Sequence, residues 1–163
     1  MARGKQISNP DGLFGLTADS DSQIIVYAVN AATAAMLGGD AVGLTSAGTY
    51  GVSVGHSTGV DSLFMYGFVS MQDDGNVGTD TSTSQRGNSY AVGDLVPVVV
   101  EGITRVWVTS FSIARGALLS ASSIAGAVDT TTSVIPGPGM AIALETSTED
   151  GSNDTIRAIV RRF

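Results

Sequence analysis

Runs of β-branched and aromatic residues, broken by glycine-rich turns, set the reading of this chain. Such residues fit a pleated, half-buried surface, and glycine and asparagine mark where the chain turns. Residues 23–29, with Ile24, Ile25, Val26, Tyr27 and Val29, predict a strand. Residues 30–37 admit two readings: a short helix capped by Asn30, or a loop and a short strand entering Gly38-Gly39-Asp40. Short strands are predicted over 41–44 and 50–54, parted by the Ser46-Ala47-Gly48 turn. The most apolar stretch of the first half, 63–71, predicts a central strand bulged or bent at Gly67.

The pattern centres on 93–108, two apolar runs on either side of Glu101-Gly102. A two-residue link ending in glycine suits a tight hairpin. The predicted hairpin sets Val100 opposite Ile103, Val98 opposite Arg105 and Val96 opposite Trp107. Both of its faces are mainly apolar, so it belongs between two layers, with Trp107 in a core or a subunit interface. Pro97 has no N–H to donate, which predicts an edge strand or a local irregularity. Further strands are predicted at 116–120, near 127–128, at 140–145 and at 155–163. In the last, Ile156, Ala158 and Val160 share one face and Arg157, Ile159 and Arg161 the other, as in a strand with one face on a core.

These elements predict an all-β fold, a small β-barrel or sandwich over 23–163. Residues 72–89 contain one aliphatic residue, Val77, and are expected to form a polar surface loop. Residues 1–22 are polar and glycine-rich, with Leu13, Phe14 and Leu16 as the large apolar side chains from residue 13 on, just before a Thr17–Ser22 hinge. They are either a frayed end or an extended N-terminal arm that orders against a partner.

Composition narrows the function classes. The 163 residues suit one domain, and 43% hydrophobic with 14% charged residues is a folded profile. A net charge of −7 argues against nucleic acid as a partner, because phosphate binding needs clustered Lys and Arg. The absence of cysteine removes disulfides, zinc–thiolate sites and thiol nucleophiles. The charged start has no apolar run behind it, unlike a signal peptide. No apolar stretch approaches the roughly 20 residues of a membrane span, so a soluble protein without a membrane partner is expected.

Candidate chemistry is sparse. His56 is the single histidine; a triad with Ser57 or Ser53 and Asp61 lacks any nucleophile elbow, and a surface-loop histidine is expected. Asp73-Asp74-Gly75-Asn76 with Asp80 lacks the spacing and closing glutamate of a calcium loop. Glu101 and Glu145 resemble a glycosidase carboxylate pair only in name, since an aromatic-lined cleft is missing, and Glu101 is expected in the turn. No cofactor, metal site or catalytic residue is expected, and the protein is read as a non-enzyme.

From Tyr90 on, one order of motifs stands out: Tyr90-Ala-Val-Gly-Asp-Leu-Val-Pro-Val-Val-Val-Glu-Gly-Ile-Thr-Arg-Val-Trp-Val, then Arg115-Gly-Ala-Leu-Leu-Ser, then Gly137-Pro-Gly-Met-Ala-Ile-Ala-Leu-Glu, then a basic strand ending at Phe163. This order resembles the decoration, or cement, proteins of tailed-bacteriophage capsids, over roughly 23–163. The resemblance implies a small β-barrel that trimerises on the outer capsid surface at three-fold positions and clamps the major capsid protein, stabilising the head. It also implies an N-terminal arm reaching over capsid neighbours. Arg3 and Lys5, basic on an acidic chain, and Leu13, Phe14 and Leu16, without an evident core of their own, are the candidate capsid-binding residues. The alternative is a virion-surface receptor- or carbohydrate-binding β-domain, against which stands the aromatic content of 6%. A third reading, a trimeric nucleotide-pyrophosphatase barrel, lacks its acidic metal motifs.

Overall fold

The computed structural model describes residues 23–45, 51–59, 65–71, 86, 89–109, 112–131, 141–147 and 155–160. Among these residues the fold is all-β, with eleven strands and no helix. In chain order they are β1 (Ile24–Asn30), β2 (Met36–Leu37), β3 (Ala41–Leu44), β4 (Ser53–His56), β5 (Met65–Val69) and β6 (Ser89–Tyr90), followed by β7 (Leu95–Trp107), β8 (Leu118–Ala121), β9 (Val128–Thr130), β10 (Ala141–Ala143) and β11 (Thr155–Val160). The proposed arm, 1–22, lies outside the described residues, as does the polar stretch 72–89 apart from Arg86 and Ser89.

Five strands close into a barrel in the order β1, β4, β3, β5, β7 and back to β1. The β1–β4 pairing is parallel and the other four are antiparallel. Beyond β7 the hydrogen-bonded order continues through β11, β10 and β8 to β9. A parallel bridge from Val108 to Val128 brings β9 back to the end of β7. The far half of β7 thus borders a second ring of strands.

The expected hairpin at Glu101-Gly102 does not form. β7 runs through both residues as one strand of 13 residues. Its first half is claimed on one edge by β1, from Leu95 to Glu101, and on the other by β5 at Val98 and Val99. Its second half pairs with β11 from Gly102 to Trp107. Folding β7 back on itself would take from each of those three strands the neighbour on one of its edges. Glu101 is therefore an exposed strand residue opposite Ile24, not a turn residue. Pro97 is not on an edge strand either. The β5 ladder stops at Val69 opposite Val98, and beyond it only the Pro97 carbonyl is used, accepting the Ser70 N–H at 2.8 Å.

The helical reading of 30–37 also fails, and the loop with a short strand, β2, is what forms. The Asn30 side chain is engaged otherwise: its Oδ1 accepts the Ala32 N–H at 2.9 Å and its Nδ2 donates to the Tyr90 carbonyl at 3.0 Å. This ties the end of β1 to β6. The second strand of the 41–54 region is shifted toward its C-terminus, to Ser53–His56. The irregularity expected at Gly67 is present, since the β3–β5 register slips between Val42 opposite Gly67 and Gly43 opposite Met65.

Two cores result. Ala28, Met36, Val42, Val54, Val69, Val96, Val98 and Val100 fill the barrel. The second core gathers Val106, Leu119, Val128, Ile156, Ala158 and Val160 from the added sheet, against Ala41, Met65 and Phe68 of the barrel wall. Alternation explains the split: Ala41 and Val42 are successive residues of β3 and point to opposite faces. On β11, Ile156, Ala158 and Val160 are the buried face, as the sequence pattern predicts.

Candidate functional site

The most concentrated chemistry among the described residues is a buried clasp at the seam between the two cores. The Gly38-Gly39 corner between β2 and β3 brings Asp40 there. Gly39 has φ of 82°, which favours glycine, and a Cβ on it would stand 3.1 Å from the Trp107 amide nitrogen. That closeness lets Trp107 N–H donate to the Gly39 carbonyl and Gly39 N–H to the Val69 carbonyl, both at 2.9 Å. The corner is thereby sewn to β7 and β5.

Asp40 is only 3% exposed, so its charge must be met by partners inside the protein. Oδ2 accepts the Leu37 N–H at 2.8 Å and lies 3.1 Å from His56 Nε2. With the carboxylate ionised, Nε2 carries the proton of that hydrogen bond. Oδ1 takes the Arg86 guanidinium through Nη2. Arg86 Nε donates to the Gly38 carbonyl at 3.2 Å, and the guanidinium lies over the Trp107 ring, 4.1 Å from its centroid. Burial holds the Arg86 pKa below its ordinary value, opposed by the attraction and hydrogen bond of Asp40. The turn after β8 closes the other side: a Cβ on Gly126 would come within 2.9 Å of His56 Cδ2 and 3.0 Å of Asp40 Oδ1.

His56 is accordingly not a surface-loop residue. It ends β4, opposite Val42, and its side chain is 16% exposed. Its acid partner is Asp40, sixteen residues back; Asp61, the acid near it in sequence, lies outside the described residues. Ser53 and Ser57 are both buried. Arg86 corrects the reading of 72–89 at one point, since this residue of the polar stretch is buried at 4% exposure. Trp107 is half-buried under that guanidinium.

The two carboxylates set aside as a glycosidase pair stand in unlike settings. Glu101 stands exposed on β7. Glu145 accepts the Arg157 backbone N–H at 3.0 Å and is paired with the Arg157 guanidinium. Burial alone would raise the Glu145 pKa, but the Arg157 hydrogen bonds and charge, with Arg105 behind them, outweigh it and leave it below the usual range. No cluster of three His, Asp or Glu side chains suited to a metal occurs among the described residues. Arg3, Lys5, Leu13, Phe14 and Leu16, and the acids Asp73, Asp74 and Asp80, lie outside the described residues.

The clasp brings an acid, a base and an arginine together, but each is engaged by the others or by the backbone. Its chemistry is that of a brace: it joins the β2–β3 corner, β4, Arg86 and β7 at one point. Compared with known proteins, the chain matches no family model and no curated sequence.

Proposed function

We propose that the chain is a non-enzymatic decoration protein of a tailed-phage head, which binds the outer capsid surface as a homotrimer and stabilises the shell. The observation that carries this reading is the use made of the chain's reactive groups. The single histidine, the buried aspartate and the buried arginine brace the seam between two β-layers. A protein built this way holds a shape, as a cement protein must. The order of motifs from Tyr90 to Phe163 supports the same reading through its resemblance to that family.

The major capsid protein is the proposed partner, and residues 1–22 are the proposed attachment. On a chain of net charge −7, Arg3 and Lys5 would draw this segment to an acidic capsid surface, and Leu13, Phe14 and Leu16 would fill an apolar groove there. Fixing a chain segment on a partner costs conformational entropy, but three arms on one trimer bind at high effective concentration after the first has docked. The test is co-sedimentation with cognate undecorated capsids, using the full chain and a variant lacking residues 2–22. The full chain is expected to saturate the capsids, and the shortened one to bind at least about tenfold more weakly. Equal binding would show that residues 1–22 do not carry attachment, and no binding by the full chain would overturn the proposed function.

A further inference from the structure

Seven large hydrophobic residues are exposed among those described, and five of them, Ile24, Ile25, Tyr27, Val92 and Leu95, cluster along β1, the start of β7 and the turn before it. The β1–β7 register sets Ile25 opposite Val99, Tyr27 opposite Pro97 and Val29 opposite Leu95. Residues directly opposite share a face. The alternate residues Ala28, Val96, Val98 and Val100 fill the barrel, so Ile25, Tyr27 and Leu95 form its outside. Tyr27 is 68% exposed and Leu95 64%. The Gly93 N–H donates to the Asn30 carbonyl at 2.8 Å and the Asn30 N–H to the Asp94 carbonyl at 2.9 Å, which holds Val92 beside the same face.

The charge pattern indicates what covers it. β1 contains no charged residue, and β7 contains none between Asp94 and Glu101. The Asp94 carboxylate is turned onto its own loop, accepting the Ala91 N–H at 2.8 Å. The outer face over β7 and β11, by contrast, carries Arg105 opposite Arg157. Copies of a chain with net charge −7 repel one another wherever their acids meet. They approach at least cost where the face is uncharged, over Tyr27 and Leu95; its one acid, Glu101 opposite Ile24, stands at the far end. In a closed ring each copy presents that apolar centre to its neighbours. A charged foreign surface would find no countercharge at that centre.

We infer that the outer β1–β7 face, centred on Tyr27 and Leu95, is where copies of this chain meet. This rests on the homotrimer reading and gives that assembly its contact surface: around a three-fold axis, three such faces cover one another.

The experiment is light scattering on the full chain, on Tyr27→Asp and Leu95→Asp, and on Ile124→Asp as a matched exposed apolar site away from the face. The wild type and Ile124→Asp are expected to assemble. Tyr27→Asp and Leu95→Asp are expected to be monomers with unchanged far-ultraviolet circular dichroism. If either loses its β-signal, the corresponding Gln variant takes its place. Assembly that persists in both face variants would overturn this interface and leave the trimer standing. A wild type that stays monomeric at its highest soluble concentration would overturn the interface in solution, while the capsid co-sedimentation tests the proposed function separately. Stronger self-association after deletion of residues 2–22, insensitive to Tyr27→Asp, would assign the face to the chain's own N-terminal segment and overturn the inference.

Discussion

Asp40 divides its carboxylate among Leu37, His56 and Arg86, so its removal leaves a buried guanidinium without its countercharge. Breaking one side of a buried pair costs roughly 3–5 kcal/mol, whereas replacing both sides with apolar residues is often near neutral. Asp40→Ala is therefore expected to lower stability by about that amount. Asp40→Leu with Arg86→Met should cost much less than the sum of the two single changes, as coupled neighbours do. Denaturant unfolding midpoints decide it, and additive losses would show that the pair is not coupled. Glu145 supplies a pH test. Its pKa is depressed in the folded state, so its stabilising contribution is complete above the ordinary glutamate range and is lost as pH falls through the lower folded value. Glu145→Gln should be less stable than wild type at neutral pH and match it in acid; a gap unchanged across that range would contradict the assignment. Little of the clasp is legible in the sequence. His56 invites a search among its neighbours, but its partner is reached only through the β3–β4 pairing. Arg86 sits in a run whose polarity predicts exposure, and nothing local marks it as the residue that turns inward.

At the scale of elements, β7 shows how a correct local inference led to a wrong strand pairing. Positive φ at Gly102 is what a glycine-ended turn requires, and Gly102 does have φ of 115°. That conformation serves a bend inside a continuous strand, where β1 pairing ends at Glu101 and β11 pairing begins at Gly102. In a hairpin the inward phase would switch from even to odd residues across the turn. In β7 it does not: Val96, Val98, Val100, Thr104 and Val106 are all buried. The sequence hides this continuity because Leu95, Pro97, Val99, Ile103 and Trp107 are also apolar, so neither phase stands out. Most of the other strands were legible because one face alternates or a glycine bounds them, as in β11 and β3. A side chain at Gly102 would strain this handover by about 1–3 kcal/mol. Gly102→Val is expected to lower the thermal midpoint, and an unchanged melt would show that the bend tolerates any residue.

At the scale of the whole molecule, the described residues form a closed barrel with a second sheet built onto its wall, the two sharing β7 and held at the seam by the Asp40 clasp. Phe68, fully buried, belongs to a barrel strand yet fills the second core, so neither layer is complete without the other. Two layers that share a wall, with an exposed apolar face around Tyr27 and Leu95, suit the proposed role of stabilising an assembly by being placed on it. A ligand that binds only the assembled state raises its stability by mass action, which is the effect proposed for this protein on a phage head. The most direct measurement is the temperature at which undecorated capsids lose their shell, by scanning calorimetry with and without saturating protein. A higher disruption temperature is expected in its presence, rising with occupancy. An unchanged temperature on capsids shown to be saturated would contradict it.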